Sequence, residues 1–148
     1  MTRAERMVPV QRVMQDTERS HAGRLAAARQ RVAEGESRLA QLRGYLAEYV
    51  NGLSERSRRG LAGTMLRDYQ VFLTRLQSAV AQQAGVVAGL QAELGAVTRE
   101  WQQAAQRAKA LDTVVERWRV EERRVVERRE QHDTDERALR ATRTRHDG

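Results

Sequence analysis

The sequence contains no cysteine and a single proline, and each shortage narrows its class. Without cysteine there is no disulfide framework and no thiolate zinc site. The one proline, Pro9, leaves everything after it free of a strong helix breaker. Aromatic residues are scarce at 4%, too few to fill the core of a β-sandwich or a layered α/β fold. Long apolar runs are also missing: none approaches the ~18 residues of a membrane span. No secretory apolar segment follows Met1 to Arg6, so the expected location is the cytoplasm. Lysine is nearly absent as well. Lys109 is the only lysine among 27 basic residues, and the net charge is +7. Arginine pairs bidentately with carboxylates and phosphates, which suits an acidic partner surface. A solvated, charged helix face accounts for it equally well.

What remains is a composition rich in Ala, Leu, Arg, Glu and Gln, the residues of long helices. A chain of 148 residues is expected to be one domain. Pro9 can sit in the first turn of a helix, where its missing N–H costs nothing. From there an apolar stripe follows Val10, Met14, Thr17, His21, Leu25, Ala28, Val32, Gly35, Leu39, Leu42, Leu46, Tyr49 and Leu53. Its steps alternate between three and four residues, with one extra four-residue step at His21 that reads as a stutter. The stripe is thinnest at Ala28 and Gly35, where a facing helix can come close. Gly60 is placed to end this helix, Gly63 to break the pattern again, and Thr64 to cap the next.

The second helix carries a stricter heptad. One row reads Leu73, Val80, Val87, Leu94, Trp101, Ala108 and Val115; the other reads Leu76, Gln83, Leu90, Val97, Ala104, Leu111, Trp118 and Val125. Only Gln83 interrupts it. After Trp118 the same register, Val125 apart, meets Glu122, Arg129, His132 and Glu136 before Leu139. A fold-back near Gly60 places Tyr49 near Leu73, Leu42 near Val80, Gly35 near Val87 and His21 near Trp101. The first helix then runs out opposite Trp118 to Val125, where the apolar rows also stop.

The expected fold is therefore all-α: a long antiparallel two-helix coiled-coil hairpin, with helix 2 extending beyond helix 1. Helix 1 is expected over about 9–55, the turn over 56–64 and helix 2 over 65–143, in a single domain spanning 1–148. At 1.5 Å per residue such a rod is on the order of 100 Å long. Its end is expected to fray at Asp147 and Gly148. Gly85, Gly89 and Gly95 fall outside the apolar rows, on a face that tolerates drift.

Chemistry-bearing constellations are few. His21, His132 and His146 are scattered, and the His132–Glu136 spacing on one helix face is common by chance. No Gly-rich phosphate loop follows a strand, and Ser54, Ser57 and Ser78 have no base partner. Neither an enzyme nor a cofactor is expected, and nothing points to a small-molecule substrate. The segment from Arg117 to Glu130 interleaves acids and bases, which favours ion pairs along one helix over a phosphate-binding stripe. Aromatics do not alternate with the arginines as a base-stacking platform requires. Nucleic acid is thus a poor partner candidate.

The aromatics themselves are concentrated. Tyr45, Tyr49, Tyr69 and Phe72 all fall around the proposed bend. Leu42, Tyr49 and Leu76 occupy the apolar rows, while Tyr45, Phe72 and Ala79 flank them. A two-helix seam cannot bury so wide a stripe, so flanking aromatics are left to anchor a partner.

These residues resemble a family. The Leu42-x-x-Tyr45-x-x-x-Tyr49 segment, the glycine-containing turn, Asp68-Tyr-Gln-Val-Phe72-Leu with Leu76, and Trp101 together resemble FliJ, a coiled-coil component of the flagellar type III export apparatus. The resemblance implies a stalk-like antiparallel coiled coil whose terminal end enters the hexameric export ATPase, FliI. The opposite region would dock on the cytoplasmic domain of the export gate, FlhA, and export chaperones would be further partners. It implies a place in the cytoplasm, peripheral to the inner membrane through those partners. The implied gate-binding residues are Leu42, Tyr45, Tyr49, Phe72, Leu76 and Ala79. Arg38 and Gln83 share that surface but depart from the family's residues there. Arg119, Arg123, Arg124, Arg128 and Arg129 are candidates for the ATPase contact. The alternatives are the matching stalk of a virulence type III system and, from another class, a basic coiled coil binding DNA.

Overall fold

A computed structural model describes residues 1–146, so the fraying expected at Asp147 and Gly148 lies outside the described residues. Three helices account for nearly all of it: α1 (Arg3–Arg6), α2 (Val8–Arg59) and α3 (Gly63–His146). α1 was not anticipated, although its signal was legible. Thr2 and Glu5 form a capping box, in which the Thr2 hydroxyl accepts from the Glu5 N–H at 3.2 Å and the Glu5 carboxylate accepts from the Thr2 N–H at 3.1 Å. Met7 alone separates α1 from α2, and Pro9 sits inside the first turn of α2.

α2 runs to Arg59, a few residues past the expected bound of about 55 and right up to Gly60, the residue expected to end it. Arg56, Arg58 and Arg59 in its last turn face the partial negative charge of the terminal carbonyls, which favours the extra turn. Gly60 then adopts φ +90°, the left-handed step that ends helices and that a side chain would strain. Between α2 and α3 only Gly60, Leu61 and Ala62 lie outside helix. The Leu66 N–H donates to the Ala62 carbonyl at 3.1 Å, so α3 opens at Gly63. Gly63 therefore does not interrupt the pattern, and Thr64 lies within the first turn instead of capping it. Gly60 supplies the reversal alone, and no second breaker is needed.

The chain packs as two compact units, Met1–Arg19 with Gln103–Gly148, and Ser20–Gln102; α2 and α3 each contribute to both. In the unit containing the bend, Leu25, Ala28, Val32, Gly35 and Leu39 form the buried stripe of α2. Val87 is buried from α3, with Leu73, Leu76, Val80, Leu90 and Leu94 half-buried on the same rows. Partners fall in number on α3 as they climb on α2. His21 Nδ1 lies 4.0 Å from the Glu100 carboxylate, Arg31 pairs with Glu93 at 3.1 Å, Glu36 accepts from Gln91 at 3.2 Å, and Tyr49 meets Phe72.

The two helices come close at Gly35. A Cβ there would stand 3.0 Å from Leu90 Cδ1 and 3.4 Å from Val87 Cγ2. Beside it, Gln83 Nε2 donates to the Gly35 carbonyl oxygen at 3.1 Å. The one polar residue in the heptad rows of α3 thus holds backbone across the interface, and it can do so because position 35 has no side chain.

In the other unit, Ala4, Ala104, Ala108 and Val115 are buried. The Ala4 N–H donates to Glu122 at 3.2 Å, the Arg3 guanidinium lies 3.9 Å from the Trp118 ring centroid, and Gln11 donates to Asp112 at 2.9 Å. Here the expected stripe needs correction. Val10 and Thr17 are exposed, whereas Gln11, Met14, Glu18 and His21 are half-buried. These positions alternate by four and three straight into Leu25, so the stutter at His21 is absent. The heptad persists through polar side chains, and following apolar residues alone shifts the trace onto their neighbours. Val125 is also displaced from its expected place in the row: it is 44% exposed. The last half-buried residue of α3 is Glu122, held by Ala4, and from Arg123 to His146 every side chain is exposed.

Two glycines on these helices should respond oppositely to a side chain. Gly89 has open space where a Cβ would go, so Gly89→Ala is expected to stabilise by about 1 kcal/mol through helix propensity. Gly35→Val must displace Leu90 and Val87 and is expected to destabilise by about 1–3 kcal/mol. Urea denaturation followed by circular dichroism reads both; equal shifts for the two variants would refute the close approach at Gly35.

Candidate partner-docking surfaces

The aromatic residues near the bend form one contiguous cluster. Tyr49, half-buried on the α2 stripe, packs against Tyr69 and Phe72 of α3, with ring centroids 5.2 Å and 4.7 Å apart and tilted planes at 42° and 49°. Such tilted pairs match the favourable geometry of aromatic quadrupoles. The Arg56 guanidinium lies 5.5 Å from the Tyr69 centroid, on its face. Tyr45 and Phe72 remain 58% and 49% exposed.

Four of the six expected site residues come together here. Tyr45, Tyr49, Phe72 and Leu76 line an open groove of about 550 Å³. Leu42 and Ala79 do not line it; they are half-buried further along the same helices. The groove also includes Tyr69, one of the aromatics around the bend though not one of the six expected site residues, and Arg56, Glu48 and Gly52, which the sequence reading does not single out. Their signal was spacing. Tyr49, Gly52 and Arg56 follow one helical face, and Tyr69 precedes Phe72 by one turn. Arg56, Tyr69 and Phe72 continue into an adjoining groove with Met65 and Asp68. Arg38 and Gln83 line a separate groove with Gly35 and Leu90.

The five expected arginines do not form one site. Arg119 and Arg123 flank Glu116 at 3.9 Å and 3.4 Å and line a groove of about 660 Å³ with Thr2, Ala4 and Glu5. Arg124 lines a different groove with Lys109 and Arg117. Arg128 and Arg129 lie on the exposed stretch of α3 and line neither. The ion pairs expected along this helix occur here between residues three and seven apart. A turn further along, His132 Nδ1 lies 3.8 Å from Glu136, and with Asp133 these could reach one cation; all three are exposed, as surface acids commonly are. No helix among the described residues is long and apolar enough to cross a membrane.

Compared with protein-family models, the chain matches the family described as Flagellar FliJ protein over residues 3–147. The chain belongs to the FliJ family. Membership places it with the flagellar type III export apparatus, as a non-catalytic component. Comparison with curated proteins and with solved structures finds no significant match. Both surfaces described above, the aromatic grooves and the arginine-bearing stretch of α3, lie within the FliJ match.

Anchoring and folding roles within the aromatic cluster can be separated. Tyr49→Ala removes the ring that both Tyr69 and Phe72 contact, and should cost about 1–3 kcal/mol of stability. Tyr45→Ala, on a side chain mostly in water, should change stability by less than about 0.5 kcal/mol. Thermal melts of the two variants check this, and an equal loss would mean that Tyr45 is a folding residue.

Proposed function

We propose that this FliJ-family chain is a non-enzymatic stalk that couples the export ATPase ring to the export gate and assists the cycling of export chaperones. In this reading α2 and α3 form an antiparallel coiled coil, supported within each unit by partner residues that run in opposite order. The aromatic groove docks on the cytoplasmic domain of the gate protein, FlhA. The arginine-bearing part of α3, from Arg119 to Arg129, meets the ATPase, FliI. The protein works in the cytoplasm and reaches the inner membrane only through these partners.

One observation carries the reading. Tyr45 and Phe72 are about half exposed beside a groove whose floor holds the Tyr49–Tyr69 ring contact. The fold does not need that apolar surface inside, and exposed aromatics set around a rigid floor are the usual anchors of protein interfaces. The arginines favour an acidic protein surface over nucleic acid, because acids are interleaved among them, as Glu116 is between Arg119 and Arg123 in space. The flagellar family match favours the flagellar system over the virulence stalk.

Tyr45→Ala and Phe72→Ala should each weaken binding of the gate's cytoplasmic domain by about 1–3 kcal/mol while leaving helical circular dichroism unchanged. Titration calorimetry measures this, and unaltered affinity in both variants would remove the gate assignment. In parallel, Arg128→Glu with Arg129→Glu should reduce co-sedimentation with the assembled ATPase. Full retention would move that contact elsewhere.

A further inference from the structure

The bend region carries more positive charge than its own acids balance. Between Leu42 and Ala79 there are six arginines (Arg43, Arg56, Arg58, Arg59, Arg67, Arg75) and three carboxylates (Glu48, Glu55, Asp68). Four arginines elsewhere, Arg3, Arg31, Arg119 and Arg123, are held in ion pairs, and most of the rest, like those near the bend, are not. Among the described residues, none of the six arginines near the bend has an ion-pair partner, and all are exposed. The carbonyls at the end of α2 account for the presence of cations at Arg56, Arg58 and Arg59. They do not account for Arg67 in α3, nor for the posture of Arg56.

Arg56 is placed differently from the others. Its guanidinium lies over the face of Tyr69, and its side chain lines both aromatic grooves. A guanidinium drawn to a ring face by its charge leaves N–H donors free to take a carboxylate. Holding the side chain at the ring lowers the ordering cost when a ligand arrives. The acids nearby restrict where such a carboxylate can lie. Glu48 lines the first groove and Asp68 the second, so a negative group is repelled from those walls and directed to the Arg56 edge.

We infer that the occupant of the aromatic grooves is an acidic protein segment, one that inserts apolar side chains beside Phe72 and Tyr45 and delivers a carboxylate to Arg56. Arg58, Arg59 and Arg67 add a longer-range field that draws the segment in. This deepens the docking role proposed above and rests on it. A lipid surface or a nucleic acid fits less well: the lining is an aromatic groove with one arginine held at a ring face, not a plane of cations.

Full-length protein titrated with the gate's cytoplasmic domain, at salt from about 0.05 to 0.5 M, tests the inference. Arg56→Gln should weaken binding about ten-fold or more, and Arg56→Lys should recover only part of that loss, because it restores charge without the guanidinium's paired donors. Arg58→Gln with Arg59→Gln should flatten the salt dependence and change high-salt affinity little. If Phe72→Ala weakens binding while Arg56→Gln leaves both affinity and salt dependence unchanged, the groove still docks the gate and the acidic occupant is refuted. If neither variant has an effect, the docking reading itself fails. Loss of binding to anionic vesicles or duplex DNA in Arg56→Gln, with gate binding intact, would also overturn the inference. Arg24→Gln, an exposed position of α2 that lines none of these grooves, should bind as wild type and controls for total charge.

Discussion

A helix facing one neighbour can bury only one stripe of side chains, and everything else in this structure follows from that limit. The buried residues are accordingly few and small: Ala4, Ala28, Ala104 and Ala108 beside Leu25, Val32, Leu39, Val87 and Val115. No polar or charged residue is fully buried among those described. With so little apolar area to specify which turn of one helix meets which turn of the other, polar contacts take on that task. Gln83 reaching the Gly35 carbonyl is the plainest case, and Gln11 with Asp112 is another. A single polar residue in an otherwise apolar row sets register at some expense of stability.

The same limit leaves side chains over, and these become surface. Near the bend the helices carry more aromatic area than one stripe can cover, so Tyr49 fills the interface while Tyr45 and Phe72 spill outward. Around Arg119 and Arg123, helix α1 lies across the interface and forms a groove with them, through a capping box and the Ala4–Glu122 bond. Surface chemistry differs between the two places because the residues left over differ: rings in one, guanidiniums and carboxylates in the other.

Much of this was legible from sequence where the stripe is apolar. Leu25 to Leu39, the rows from Leu73 to Trp118 and the left-handed glycine at position 60 all announce themselves by spacing or by residue type. Legibility failed where polar side chains occupy the stripe. Gln11 and Glu18 hold positions that their apolar neighbours Val10 and Thr17 seemed to claim, because a hydrogen bond to Asp112 substitutes for apolar burial at Gln11. Within the candidate site the rings were evident from composition, but Arg56 was not. Its role depends on lying over Tyr69, a residue of the other helix, and no local pattern encodes that.

From Arg128 to His146 every side chain of α3 is exposed, so the order of this stretch has to be inherited from the packed part of the helix. Starting a helix in water is the unfavourable step, whereas adding a turn to one already formed is nearly neutral. The packed portion therefore acts as a seed crystal for the solvated one, and disturbance near Trp118 or Glu122 would be felt downstream as melting. A thermometer placed at the far tip would report on how firmly Arg3 and Ala4 grip the base.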